Sequence, residues 1–284
     1  MFAVAGVSGR TGAATADALL KQGEKVRVMV RKPEQGEAWL AKRCEVAIVD
    51  FDEPETLTAA TKGLTGAFLM LPPSQGDDPV AAQAAMLTKM VGAIKRSGMK
   101  TLVFLSSIGA QHPAGTGPIV ALNRAEKALN GLFPSVTFLR AAYFLENWIP
   151  SFMPALETSE LPFFGHTHLK FMQVCTHDIG VAAAQLLAEN AHGTRFVELA
   201  GKENWSVEDV AAVLTSLLGQ PIKAVDRHVE TAKDQLEKMG MAPAMAALYA
   251  DMYQGMARGH VSFAHPHQVM RGQTSLFDSL KPMV

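Results

Sequence analysis

Residues 6–14 read "GVSGRTGAA" and follow the short apolar run Phe2-Ala3-Val4-Ala5. Glycines stand at 6, 9 and 12, with one arginine, Arg10, among them. A glycine turn between a first strand and a first helix lets backbone approach a pyrophosphate closely, and it aims the free N–H groups of the helix start at the charge. The spacing is GxxGxxG rather than GxGxxG, with the same physical logic. On spacing alone, a simple tight turn fits as well. The place of the loop, after a strand and before a helix, favours the phosphate reading.

The chain around this loop keeps the same rhythm. Apolar, β-branched runs at 26–30, 45–49, 67–71, 101–105 and 136–139 predict strands. Segments 12–21, 33–42, 55–62, 79–97 and 119–129 predict helices between them. Several strands are nearly continuous apolar runs, as a parallel sheet covered on both faces requires. Gly23, Gly63 and Ser97-Gly98 fall where helices should stop. The expected fold is α/β, a Rossmann-type doubly wound parallel sheet. Beyond Arg140 the rhythm loosens: 148–175 has three prolines and several aromatics without a period, and reads as an irregular cap. Helices are expected at 178–189 and 207–218, a strand at 195–199, and a methionine-rich helical stretch at 232–259. The division expected is a dinucleotide-binding domain at 1–147 and a small, discontinuous substrate lobe at 148–284, with 176–200 returning to the sheet.

The charge in and near the loop bears on the ligand. A site for NAD places Asp or Glu near the end of the second strand, where it bonds the ribose 2′-hydroxyl. Here that strand ends "VMVRKP", with Arg31 and Lys32 and no acid. A guanidinium binds a 2′-phosphate bidentately, and Arg10 can approach from the other side. NADP(H) is therefore the expected cofactor, against the plainer reading that Arg31 and Lys32 are a solvated strand end.

The 284 residues are 48% hydrophobic and 19% charged, with a formal net charge of −1. That balance lacks the basic face that binding to nucleic acid needs. No apolar run is long enough to span a membrane, and no basic stretch precedes an apolar run at the start, so no secretory signal is expected. The two cysteines, Cys44 and Cys175, suit a reducing compartment. The expectation is a cytoplasmic protein, monomer or homodimer, acting on a small molecule without a nucleic-acid or membrane partner.

The ordered motifs "FAVAGVSGRTGAATADALL", "VRVMVRKPEQ", "VDFDEPETLTAATKG", "FLMLPPS", "LVFLSSIGA" and "FLRAAYFLENW" resemble the NmrA-like branch of the atypical short-chain dehydrogenases/reductases. That branch includes NAD(P)H:quinone oxidoreductases, triphenylmethane-dye reductases and redox-sensing regulators. The resemblance continues to about residue 225 and implies roles by position. Gly6, Ser8, Gly9, Arg10, Thr11 and Gly12 would hold the pyrophosphate, and Arg31 and Lys32 the 2′-phosphate. Asp50 and Phe51 would flank the adenine; Leu71, Pro72 and Pro73 would line the adenosine and ribose. Ser106 and Ser107 would lie near the nicotinamide, with Tyr143, Phe144 and Asn147 facing the same space. Core packing is the competing reading for Phe51 and Phe144.

The chain also departs from that pattern. Ordinary members use Tyr-x-x-x-Lys, in which lysine lowers the tyrosine pKa for proton transfer to a carbonyl oxygen. Only Tyr143, Tyr249 and Tyr253 are present, and none has a lysine four residues on. Where relatives carry His or Lys four residues before the glutamate matching Glu126, this chain has Leu122. A simple ketone needs such a donor; a quinone or conjugated dye does not. The expected activity is hydride transfer from NADPH to a quinone-like acceptor, with Ser107, Tyr143 and Asn147 orienting it. The alternatives are a redox sensor that binds NADP(H) without turnover and, against the missing motif, a sugar-nucleotide epimerase. The pairs His166/His168 and His265/His267 have a metal-compatible spacing but read better as solvated turns, so no metal is expected. Met239, Met241, Met245, Met252 and Met256 read first as core filler and second as a pliant wall for a flat substrate.

Overall fold

The computed structural model describes residues 1–73, 77–189 and 191–284. In chain order the first half runs β1 (Phe2–Val4), α1 (Arg10–Lys21), β2 (Val26–Val30), α2 (Glu37–Ala41), β3 (Glu45–Ile48), α3 (Pro54–Thr61), β4 (Gly66–Met70), α4 (Pro79–Lys95), β5 (Thr101–Ser107), α5 (Val120–Leu129) and β6 (Ser135–Ala141). The remainder runs β7 (Tyr143–Phe144), α6 (Ile149–Thr158), β8 (Glu160–Phe164), β9 (Phe171–Val174), α7 (Thr176–Ala188), β10 (Gly193–Ala200), β11 (Asn204–Trp205) and α8 (Val207–Leu218). It ends with β12 (Lys223–Arg227), α9 (Ala232–Lys238), α10 (Pro243–Ala257), β13 (Met270–Arg271) and α11 (Leu276–Leu280).

Eight strands form one parallel sheet in the order β13-β10-β6-β5-β4-β1-β2-β3. The winding reverses between β1 and β4, the switch point beyond whose strand ends open α/β sheets bind ligands. On one face, Ala16 and Leu19 of α1 and Ile179, Ala183 and Leu186 of α7 bury Val4 and Val28. On the other, Leu57, Leu87, Met90, Ile94 and Leu129 from α3, α4 and α5 cover Leu69, Phe104 and Phe138. Each fully buried aliphatic or aromatic side chain contributes about 1.5–3 kcal/mol. Leu145, Trp148, Phe152, Trp205, Val210 and Leu214 form a third core beneath the small sheets β11-β9-β7 and β12-β8. Among the described residues, no helix is long and apolar enough to cross a membrane.

Three expectations are corrected. Residues 148–175 are regular: α6 and β8 lie there with β9. Pro150 opens α6, Pro154 lies inside it, and Pro162 faces outward in β8 between buried Leu161 and Phe163. These prolines resemble breakers in sequence, yet each occupies a position its missing N–H permits or neighbouring packing overrides. The stretch 232–259 is two helices, separated where Gly240 takes a φ of 89° and Pro243 begins α10. The helix expected over 33–42 is one tight turn, Pro33–Gly36, followed by the short α2.

Candidate functional site

Gly6 takes a left-handed φ of 71°, which an L side chain rarely adopts, and its carbonyl accepts the Gly9 N–H at 2.9 Å. Gly9 is extended at φ −104°, ψ 173°, so a need for positive φ falls on Gly6 and not on Gly9. A Cβ on Gly12 would stand 2.3 Å from the Gly6 carbonyl carbon and 2.4 Å from the Ala5 oxygen. The loop therefore lies directly on the first turn of α1, whose N–H groups receive no side-chain cap and meet no acid. Such a terminus is suited to an anion.

Beyond this turn is a cleft of about 430 Å³, lined by Gly6, Ser8, Gly9, Arg31, Asp50, Phe51, Pro72 and Pro73. Thr11 and Gly12 are buried beneath the loop within α1. Arg10 and Lys32 are exposed, each next in chain to a lining residue. Among the described residues, Arg10, Arg31 and Lys32 form no ion pair, while Gln35 Oε1 accepts the N–H groups of Arg31 (3.1 Å) and Lys32 (3.2 Å) and fixes the strand end. Asp50 accepts the Asp52 N–H at 2.8 Å. Phe51 both lines the cleft and packs on the second core. An uncapped helix start, a glycine cradle and unpaired cations fit a phosphorylated dinucleotide.

A second cavity of about 360 Å³ neighbours the first, and Met70 lines both. Its walls are apolar (Leu71, Leu105, Ile108, Ile119, Leu122, Phe144, Phe171, Met252, Met256), and its polar residues are Ser106, Ser107, Tyr143 and Asn147. Leu71 therefore turns to this cavity and to the core rather than to the first cleft. Ser106 is buried, with its hydroxyl donating to Glu126 Oε1 at 2.7 Å, so only its backbone is available as wall. Burial, then the neighbouring Tyr253 and Tyr249, push the Tyr143 pKa well above that of an ordinary phenol. Burial also takes Tyr253 up to about 12. No Lys, His, Asp or Glu lines this cavity among the described residues, so it lacks an acid that titrates near neutrality.

Several features are not visible in the sequence. The three tyrosines converge here, with Tyr143 from β7 and the other two from α10. Arg140 is clamped by Glu126 (2.9 and 2.7 Å) and lies 3.5 Å from Glu198; all three are buried. Glu198 in turn accepts the Ala264 and His265 N–H groups, both at 2.8 Å. The His166 ring bonds Asp226 at 3.2 Å beside a third, separate cavity of about 500 Å³. That cavity is larger, but it shares no residue with either of the other two. No group of three potential metal ligands occurs among the described residues. Cys44 and Cys175 are buried, which raises their thiol pKa values and keeps them protonated.

Residues 6–141 match the family model described as NAD(P)H-binding. The chain is 26% identical to the NAD(P)H azoreductase of Xenophilus azovorans over 89% of its own length and 86% of the relative's. It is 25% identical to quinone oxidoreductase 2 of Escherichia coli strain K12, over 91% and 89%. Its fold superimposes on the triphenylmethane reductase of Citrobacter sp. complexed with NADP(H) with a TM-score of 0.84, at 20% identity and full coverage of both chains.

Proposed function

We propose that this chain, whose residues 6–141 match an NAD(P)H-binding family model, belongs with the NmrA-like atypical short-chain dehydrogenases/reductases and is an NADPH-dependent reductase of quinones and similarly flat, conjugated acceptors. One observation carries the reading: a largely apolar cavity, with no Lys, His, Asp or Glu in its wall among the described residues, neighbours the dinucleotide cleft and shares Met70 with it. When bound, NADPH supplies the hydride. The residues of the chain supply placement and exclusion of water. Gly6, Ser8, Gly9 and the start of α1 hold the pyrophosphate, Arg31 with Arg10 and Lys32 the 2′-phosphate, and Asp50 and Phe51 the adenine side. Ser107 and Asn147 hydrogen-bond an acceptor oxygen or nitrogen. Tyr143, whose raised pKa makes it a poorer acid than a free phenol, orients the acceptor as a neutral hydroxyl. A ketone concentrates developing charge on one oxygen and needs a donor there, whereas a quinone spreads it over a ring and two oxygens. The relatives named for quinone and azo substrates support the same class. A redox sensor without turnover would have no use for an apolar cavity beside the cofactor cleft.

The test follows NADPH consumption against quinones, azo and triphenylmethane dyes, ketones and aldehydes. Conjugated acceptors should react at least about a hundredfold faster than ketones, and Tyr143→Phe should lower the rate by less than about fivefold. Rapid ketone turnover that collapses in Tyr143→Phe would overturn the mechanism. Tight NADPH binding with no turnover of any acceptor would overturn the enzymatic reading.

A further inference from the structure

The second cavity has walls on two bodies. The sheet and the loop after β5 carry Leu71, Ile108 and Ile119; α10 and the turn after it carry Met252, Met256 and Val261. Where the bodies meet, glycines take the place of side chains. A Cβ on Gly117 would lie 2.0 Å from the Leu248 oxygen and 2.9 Å from the Met252 nitrogen. A Cβ on Gly255 would lie 2.4 Å from the Gly115 oxygen, and one on Gly109 would lie 3.2 Å from the Val261 Cα. Polar contacts run along the same line. Gly117 N–H donates to Asp251 Oδ2 at 2.9 Å and Gln111 Nε2 to the Ser262 oxygen at 2.7 Å. The His112 and His260 rings stack with centroids 5.0 Å apart and planes within 9°. The seam is backbone against backbone, and its thinness fixes how far α10 stands from the sheet.

We infer that Gly117 and Gly255 set the width of the acceptor cavity and so determine which acceptors enter it, favouring thin, planar rings over bulky, propeller-shaped ones. The inference rests on the reading of that cavity as the acceptor site. Non-bonded heavy atoms rest about 3.5–4.0 Å apart. A methyl held against the Gly115 oxygen therefore drives α10 outward by about 1 Å. A gap of about 0.5–1 Å forfeits a quarter to a half of the dispersion attraction on a thin ligand, and it admits a thicker one. Gly255 is the better probe. It lies inside α10, where alanine is the better helix former, whereas Gly117 at φ 59° would be strained by any replacement.

The experiment compares wild type with Gly255→Ala by equilibrium dialysis of a naphthoquinone and of a triphenylmethane dye, with NADPH titrated separately. The variant should bind the naphthoquinone about fivefold or more weakly and the dye more tightly, while NADPH affinity stays within about twofold. Met172→Ala, on β9, enlarges the cavity from a wall outside the seam and should shift the two ligands in the same directions, which keeps the link between width and selectivity falsifiable if Gly255→Ala does not fold. Equal changes for both ligands, or an equal loss of NADPH binding, would overturn the inference and leave the acceptor reading intact. Binding of neither ligand by wild type would overturn the acceptor reading and this inference with it.

Discussion

Arg31 stands at the end of β2 with its charge unpaired among the described residues and its backbone fixed by Gln35. A charge-assisted bidentate contact contributes roughly 1.5–3 kcal/mol, so NADPH should bind about tenfold or more tightly than NADH. Arg31→Ala should remove most of that preference while leaving NADH affinity nearly unchanged. Fluorescence titration of both cofactors measures it, and equal wild-type affinities would remove the case for NADP. The place of Arg31 after β2 and beside the cleft was legible in the sequence, because the strand pattern fixes where β2 ends. The surroundings of Tyr143 were not legible: Tyr249 and Tyr253 arrive from α10, far along the chain, and no spacing announces them. The bond from Ser106 to Glu126 was not legible for a related reason, since Glu126 belongs to a helix and only the folded sheet brings the two together.

Among the elements, the β1–loop–α1 unit separates two uses of glycine. Beside Gly9 a Cβ would meet nothing nearer than the Gly6 oxygen at 3.4 Å, and Gly9 lines the cleft. Gly9→Val should therefore fold and lose NADPH binding. Gly12→Ala would force a methyl into rigid backbone and should lower the melting temperature before any effect on ligand is seen. Circular dichroism melts beside NADPH titration distinguish the two. The parallel strands were legible because burial on both faces leaves continuous apolar runs. The elements of 148–175 were not, because three prolines broke the pattern that Leu161 and Phe163 follow inside β8. The buried Glu126–Arg140–Glu198 group ties α5, β6 and β10 together. Removing Arg140 leaves two carboxylates without their counter-charge, so Arg140→Ala should cost about 3–5 kcal/mol. Loss of an exposed pair such as Lys42–Asp17 costs about 0–1 kcal/mol. Urea denaturation of Arg140→Ala and Asp17→Ala compares them.

At the scale of the whole molecule, the dinucleotide cleft is built by consecutive βα units, whereas the second cavity gathers β5, β7, β9 and α10 from distant stretches. Local motifs report the first and are silent about the second. Met70 lines both cavities, and its Sδ and Cε lie 3.0 and 2.9 Å from where a Cβ on Gly6 would stand. This junction bears on the kinetic sequence of turnover. On the proposed reading, a nicotinamide would pass Met70 to reach the acceptor, and an acceptor already seated would obstruct it. Addition should then be compulsory-ordered, with NADPH entering first and the oxidised dinucleotide leaving last. Excess acceptor should inhibit, and the inhibition should be relieved by raising NADPH. Initial-rate patterns with both substrates varied would show this, and a random-order pattern would mean that Met70 lets the dinucleotide pass while an acceptor is in place.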